Sequence, residues 1–98
     1  MKIKILDEAE KDIEDGYSFY EFQSSGLWTY FLDSIYSDID SLAYFAGIHQ
    51  VVFGYNRMLS KRFPFAIYYK LINDMVLVFA VLDCRRNPSW IRKRLKTA

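Results

Sequence analysis

The sequence predicts an α+β domain in which a helical hairpin packs on a mainly antiparallel four-stranded sheet, with the element order β-α-α-β-β-β-(α). Two observations carry this prediction. Apolar residues recur at intervals of three and four through the first half of the chain, whereas the second half shows strand-like patterns around the apolar run 75–82. Helices and strands segregated in this way indicate that the helices gather on one face of the sheet.

The first strand and the first helix follow from the opening residues. The segment KIKIL alternates charged and apolar side chains, which is typical of a short strand. Asp7 stands where a helix cap is expected, and Glu10 follows at the spacing of a capping box. The helix is predicted over about 8–22. Its inward face comprises Ala9, Ile13, Tyr17 and Tyr20.

A second helix is predicted over roughly 27–45, after the break at Ser24-Ser25-Gly26. The short link between the two helices makes them an αα-hairpin. The apolar face of the second helix comprises Trp28, Phe31, Leu32, Ile35, Ile39 and Leu42. Further aromatic residues on this helix indicate core or a surface that faces a partner: Tyr30, Tyr36, Tyr44 and Phe45.

Three more strands are predicted in the second half. Residues 55–63 alternate without a purely apolar face, as in an edge strand, and Pro64 interrupts them because proline cannot donate to a ladder. Phe65–Ile72 forms the next strand. Asn73-Asp74 supplies a tight turn into Met75–Leu82, whose continuous apolar run suits a strand covered on both faces.

A short C-terminal helix is predicted to begin at Asn87-Pro88, since proline favours the first position of a helix. The residues expected to point inward are Trp90, Ile91 and Leu95. Those expected to point outward are Arg92, Lys93, Arg94 and Lys96.

Length and composition restrict the class of protein. The 98 residues predict one domain over 1–98, and 52% apolar residues are enough for a core without a metal or disulfide staple. The longest apolar run has eight residues, far below the roughly 20 that cross a bilayer, and no signal peptide is recognised. A soluble cytoplasmic protein with no membrane association is expected. Cys84 and His49 are the only residues of their types, so no metal or other cofactor is expected.

Charge is divided unequally along the chain. Residues 1–50 hold three Lys/Arg against ten Asp/Glu, whereas residues 51–98 hold ten Lys/Arg against two Asp. The acidic helical half should repel nucleic acid, so any contact with DNA or RNA is expected on the sheet and the C-terminal side.

An ordered set of motifs resembles the RelE/ParE superfamily of bacterial toxins. The set comprises Asp-x-x-Glu at the start of the first helix, F-P-[FY]-x-I-x-Y at 63–69 and R-R-[ND]-P at 85–88. It runs from Ile3 to about Leu95 and is most similar to the ParE-like branch. The resemblance implies the toxin of a type II toxin-antitoxin module, a plasmid stabilisation system, which a cognate antitoxin keeps inactive. ParE-like toxins bind and poison DNA gyrase, so a binding protein and gyrase inhibitor is the leading hypothesis.

Two alternatives remain open within the resemblance. RelE-like members cleave mRNA on the ribosome, but their strand arginine falls here at Ala66 and their C-terminal tyrosine at Ile91 or Trp90, which cannot transfer a proton in the required way. Arg85 matches a RelE-like catalytic position. The first alternative is therefore a ribosome-dependent endoribonuclease that uses Arg57, Lys61 and Arg85 to stabilise phosphate charge. The second is a degenerate member that binds an antitoxin without being toxic.

Candidate site residues follow from the basic half of the chain. Strand proximity is expected to gather several of them into a basic patch that binds the target or the antitoxin, although solvated strand-end charges would give the same pattern. The candidates are Arg57, Lys61, Arg62, Lys70, Arg85, Arg86 and Trp90. The expected partners are a cognate antitoxin and DNA gyrase, alternatively the ribosome and mRNA, and the aromatic surplus also allows a homodimer.

Overall fold

The structure, a computed structural model, describes residues 1–97. The helices are α1 (Asp7–Gln23), α2 (Leu27–Asp40), α3 (Leu42–Phe45) and α4 (Pro88–Lys96). The strands are β1 (Lys2–Ile5), β2 (Val51–Val52), β3 (Tyr55–Leu59), β4 (Phe65–Ile72) and β5 (Met75–Asp83).

The strands form one five-stranded sheet in the order β1-β5-β4-β3-β2. β1 is parallel to β5, while the other neighbours are antiparallel. The α+β class is confirmed, but the predicted four strands are joined by a fifth, β2, which reaches β3 through the turn at Phe53-Gly54. Two residues are too few for an alternating pattern to be recognised in the sequence.

Helices cover both faces of the sheet. On one face the hairpin of α1 and α2 packs against the side that carries Ile67 and Tyr69. On the other face α4 packs against the side that carries Ala66 and Tyr68, because successive residues of a strand point to opposite faces. We call these the hairpin face and the α4 face. The prediction that all helices share one face is therefore wrong for α4, which the turn after β5 directs to the opposite side.

The first helix begins without a side-chain cap. Asp7 is its first residue, Leu6 precedes it, and no side chain accepts a hydrogen bond at this end, so the predicted Asp7 cap is wrong. Glu8 and Glu10 share the first turn with Asp7. Three carboxylates near the N-terminus favour the helix through its dipole. The acidic pattern therefore predicted the start of the helix correctly, although its carboxylates act on the helix dipole and not as a side-chain cap.

The predicted second helix is divided at Ser41 into α2 and α3. The Ser41 hydroxyl donates to the carbonyl oxygen of Asp38 at 2.6 Å. A serine that bonds the preceding turn competes with the backbone ladder and weakens the helix there. The apolar face is confirmed on both sides of the break, since Phe31, Ile35, Ile39 and Leu42 are buried.

β3 ends at Leu59, four residues earlier than predicted. Beyond it the Ser60 hydroxyl donates to the buried carboxylate of Asp38 at 2.7 Å, and the backbone N–H of Lys61 donates to the same oxygen at 3.3 Å. This anchor on α2 takes the chain out of the sheet before Pro64.

The C-terminal helix begins where the sequence indicated. The Asn87 side chain accepts from the N–H of Ser89 at 2.8 Å, and Pro88 is the first helical residue. Ile91 and Leu95 are buried as predicted, but Trp90 is 38% exposed and therefore not an inward residue. Arg94 is also misplaced by the prediction, because its side chain is only 14% exposed.

Aromatic residues form the centre of the core on the hairpin face. Phe31 is completely buried, and its ring centroid lies 5.1 Å from those of Phe63 and Phe65. The Tyr20 ring lies at the same distance on α1. Gly16 permits this approach, since a Cβ there would come within 2.6 Å of the Phe31 ring. The absence of a side chain at one helix position therefore sets how closely α1 and α2 pack.

Candidate functional site

Arg57 occupies the α4 face of the sheet. It lies opposite Tyr68 in the pairing of β3 with β4. Burial raises the pKa of Tyr68 and of the Cys84 thiol, and the Arg57 guanidinium counteracts part of both shifts. Arg57 is therefore close to both groups, and within residues 1–97 it makes no salt bridge. A cation in this position is available to an anionic group of a partner.

Arg85 lies on the other side of the sheet and is already paired. Its Nη2 and Nε atoms donate to the two carboxylate oxygens of Asp83 at 2.7 and 3.0 Å. These hydrogen bonds hold the pKa of Asp83 below its ordinary value. Asp83 stands opposite Phe65, a hairpin-face residue, so the sheet separates Arg85 from Arg57. The charge of Arg85 is largely neutralised within the chain, which weakens its attraction for a phosphate.

Lys61 and Arg62 lie in the exposed loop between β3 and β4. The backbone of Lys61 is held by Asp38, as described above. Neither side chain makes a salt bridge within the described part of the chain. The loop therefore presents two cations next to the end of β3.

Lys70 is held by aromatic rings on the α4 face. Its Nζ atom lies 4.7 Å from the ring centroid of Tyr55 and 5.5 Å from that of Phe79. Attraction between the ammonium group and the ring faces orients the side chain. The Tyr55 hydroxyl in turn donates to the carbonyl oxygen of Leu95 at 2.9 Å, which ties this group to the end of α4.

Arg86 and Trp90 border a cleft of about 600 Å³ between α1, β5 and α4, which we call the edge cleft. The guanidinium carbon of Arg86 lies 4.1 Å from the ring centroid of Trp90. α1 contributes carboxylates to the opposite wall, including Asp12 and Asp15. The seven predicted site residues are thus distributed over several surfaces of the sheet and do not form one basic patch.

The edge cleft follows a part of β5 that no strand covers. β1 pairs with β5 only as far as Val78. Beyond this point Asp12 of α1 accepts from the N–H of Val81 at 3.0 Å and so satisfies a donor that another strand would otherwise use. The strand edge is therefore closed locally by a helix side chain.

Arg94 pairs with Asp12 across this edge, and sequence reasoning missed the pair. Its Nη2 atom donates to the Asp12 carboxylate at 2.7 Å, and the two side chains are 14% and 11% exposed. Arg94 lies three residues after Ile91 and therefore occupies the inward stripe of α4. This spacing could have revealed from the sequence that Arg94 points inward. Burial raises the pKa of Asp12 to about 6, although the Val81 N–H and Arg94 both act in the opposite direction.

The raised pKa of Asp12 should be visible in the pH dependence of stability. Between the ordinary pKa of 3.8 and about 6, the folded protein binds more protons at Asp12 than the unfolded chain does. The stabilising contribution is therefore complete below pH 3.8 and is lost as the pH rises through 6. We expect the unfolding free energy to fall by up to about 3 kcal/mol across this window, relative to Asp12→Asn. Urea denaturation at half-unit pH intervals measures the difference.

The matched control for this experiment is Glu14→Gln, an exposed position on the same helix, which should keep the wild-type slope. Asp83 contributes in the opposite direction and at lower pH, because its pKa is lowered from 3.8. The Asn substitution also weakens the contact with Arg94. This lowers the unfolding free energy equally at every pH and leaves its slope against pH unaffected. Equal slopes for wild type and Asp12→Asn would contradict the assignment.

His49 has a structural partner on the hairpin face. Its Nδ1 atom hydrogen-bonds the hydroxyl of the fully buried Tyr69, which also accepts from the N–H of Gly47 at 2.9 Å. Desolvation lowers the pKa of His49. The His49 carbonyl oxygen accepts from the Asn56 side chain at 3.0 Å. These contacts attach the segment before β2 to the sheet.

Neither a metal cluster nor a spanning helix is found within residues 1–97. No group of three or more His, Cys, Asp or Glu residues in this range is arranged to hold a metal ion. No helix in the same range has the length and apolar character needed to cross a membrane.

The fold and the site together define an α+β protein with a helical hairpin on one sheet face, a basic helix on the other and cations held by rings and carboxylates around the sheet. A chain in the solved structure described as the chromosomal ParDE TA system from P. aeruginosa is similar, with a TM-score of 0.75 and 17% identity over 83% of this chain and 92% of that chain. No family model and no curated protein matches the sequence. The two chains therefore share a fold, as the resemblance in the sequence had led us to expect.

Proposed function

We propose that this protein is the toxin component of a type II toxin-antitoxin module, that it acts by binding and inhibiting DNA gyrase, and that a cognate antitoxin neutralises it. The observation that carries the proposal is the fold shared with a chain of a ParDE toxin-antitoxin system over most of both chains. The F-P-[FY]-x-I-x-Y and R-R-[ND]-P motifs support it independently.

The geometry favours a binding role over cleavage of mRNA. Ala66 stands at the RelE-like arginine position and is 0% exposed. The tyrosine position falls at Ile91 or Trp90, which are 7% and 38% exposed, and neither side chain transfers a proton in the required way. Arg85, the remaining match, is engaged by Asp83. Arg57 and Arg85 stand on opposite sides of the sheet, so they do not converge on one phosphate.

Arg57 is the residue whose replacement tests the proposal most directly. It is a cation on the α4 face without a salt-bridge partner in residues 1–97, so its charge is available to the target or to the antitoxin. Induced expression of the wild type in bacteria should arrest growth and induce the DNA-damage response. Arg57→Ala should relieve the arrest by at least about tenfold in colony survival, as expected for the loss of one charged contact. Co-expression of a cognate antitoxin should restore growth.

Lys93→Ala is the matched control, since Lys93 is an exposed cation on α4 and should leave toxicity unchanged. Purified protein should inhibit supercoiling by gyrase in vitro. Abrupt loss of translation with cleaved mRNA would instead identify a ribosome-dependent endoribonuclease. Normal growth with a soluble and folded product would identify a member that binds an antitoxin without being toxic.

A further inference from the structure

The part of the chain between Asp40 and Arg57 contains no Asp, Glu, Lys or Arg. Charged residues make up 26% of the whole chain, so an uncharged stretch of this length is unusual. It includes α3 and β2. Desolvation lowers the pKa of His49, the one imidazole in this stretch, which keeps it neutral at pH 7. We call residues 41–56 the uncharged segment.

The uncharged segment exposes large apolar side chains. Tyr44 and Phe45 of α3 are 86% and 55% exposed, and Ile48 and Val51 are 75% and 64% exposed. These four side chains lie within eight positions of one another and present roughly 500 Å² of surface, which is at the upper end for the largest apolar patch of a typical monomer. A patch of this size indicates an interface with another protein chain.

β2 forms an open edge of the sheet beside this patch. It is the last strand in the sheet order, and within residues 1–97 no further strand covers its outer side. The N–H of Arg57 donates to the carbonyl oxygen of Gln50 at 2.9 Å, and the next pair in the register is Val51 with Asn56. Hydrogen-bonded and non-hydrogen-bonded pairs alternate along an antiparallel ladder. The N–H and the carbonyl oxygen of Val51 therefore both point outward, away from β3.

This open edge is fixed in place but lacks most of the features that prevent strand pairing. Edge strands are commonly protected by lysine, by other charges or by proline, and the uncharged segment contains none of these. Its only such protection is the short length of β2. The hydrogen bonds of His49 with Tyr69 and Asn56 attach the residues before β2 to the sheet. An edge that is already ordered loses little conformational entropy when it binds.

We propose that the uncharged segment binds the same segment of a second copy of this chain, and that the two β2 strands pair antiparallel across a two-fold axis. The outward groups of Val51 suit this arrangement, because the valine N–H of each copy donates to the valine carbonyl oxygen of the other. The axis passes between the two valines and joins the two sheets into one. Tyr44, Phe45 and Ile48 supply the apolar surface that is buried beside the paired strands.

Two properties of the surface favour a second copy over a different protein. A two-fold interface places a patch against itself, so charges within it meet like charges, and the uncharged segment has none. Two copies would bury roughly 1,000 Å² from the four apolar side chains alone, which is the lower limit for a specific interface before the paired backbone is added. The two-fold contact uses each patch once, so association ends at the dimer. The inference is independent of the proposed gyrase target, since its test requires no toxicity.

Sedimentation equilibrium of the full chain at pH 7 tests the proposal and should show a monomer–dimer equilibrium with a dissociation constant on the order of micromolar. Val51→Pro removes the outward N–H without breaking a hydrogen bond inside the chain, and it should weaken the dimer at least about tenfold. Val51→Thr keeps both the N–H and the branched side chain, so its affinity should stay within about threefold. Ile48→Asp places like charges in the interface and should also weaken it at least about tenfold.

Phe22→Ser is the control at an exposed apolar residue elsewhere and should leave the dimer intact. Phe22 is 92% exposed near the end of α1, and the length of α2, roughly 21 Å, separates it from α3. Hydrogen exchange of the wild type needs no variant to fold. The Val51 amide should become at least about tenfold more protected when the protein concentration rises from about 5 to about 500 µM. A monomer at the higher concentration would overturn the proposal and leave the patch to a different protein. Equal weakening by Phe22→Ser, or a dimer that Val51→Pro does not affect, would overturn it as well.

Discussion

Arg94→Met is expected to lower the free energy of unfolding by about 3 kcal/mol at pH 7, the lower end of the cost of removing one partner of a buried ion pair. Arg94 donates to Asp12 at 2.7 Å, and both side chains are nearly buried. Without the guanidinium, the Asp12 carboxylate remains in a desolvated position with only the Val81 N–H as its hydrogen-bond donor. Urea denaturation followed by circular dichroism measures the loss.

The pH dependence of Arg94→Met separates loss of charge from loss of packing. The pKa of Asp12 is already raised to about 6, and removal of the neighbouring cation raises it further. Protonation below that value removes the unpaired charge, so the deficit relative to wild type should shrink as the pH is lowered towards 5. Lys93→Met, at the exposed neighbour, should change stability by less than about 0.5 kcal/mol. A deficit that stays constant with pH would indicate that Arg94 acts through packing alone.

Phe31→Ala should cost about 4 kcal/mol, within the range for deleting a buried phenylalanine ring. Phe31 is completely buried among the rings of Tyr20, Phe63 and Phe65, and Gly16 brings α1 against it. The vacated volume is bordered by two helices and the start of β4, which limits collapse of the surrounding residues. The shift of the denaturation midpoint at an unchanged m-value is the measurement.

Tyr30→Ala is the matched control for the ring at Phe31. Tyr30 is the preceding residue of α2, its ring lies 5.4 Å from Phe63, and it is 49% exposed. Its truncation should therefore cost only about 1 kcal/mol. Similar losses at both positions would mean that the hairpin is held by its surface aromatic contacts and not by the buried cluster.

The two stability predictions concern opposite sides of the sheet, and this arrangement bears on function. Phe31 secures the acidic hairpin, whereas Arg94 secures α4 against α1 at the open edge of β5. Weaker attachment of α4 would also displace Arg92 and Lys96, which line a cavity of about 380 Å³ together with Lys70 and Tyr55.

The periodic patterns of the sequence determined most elements, because they reflect burial over a few neighbouring residues. Helical spacing located α1 and the buried face of α2, and the apolar run located β5. Asn73 and Asp74 both adopt positive φ in the turn from β4 to β5, which their side chains tolerate unusually well. Asn87 and Pro88 determined the start of α4 through local hydrogen bonding and a preset backbone angle. The motif order led to a resemblance whose expected fold is shared with a chain of the ParDE structure.

Only the tertiary structure decided which charged side chains meet. Asp12 and Arg94 are separated by 82 positions, and their pairing depends on α4 crossing to the face opposite the hairpin. The same crossing, together with strand register, places Arg57 and Arg85 on different sides although both belong to the basic half. Periodicity records whether a residue is buried, but long-range contacts depend on how whole elements pack. The sequence therefore determined the elements of this fold, while packing determined its charged surfaces and their partners.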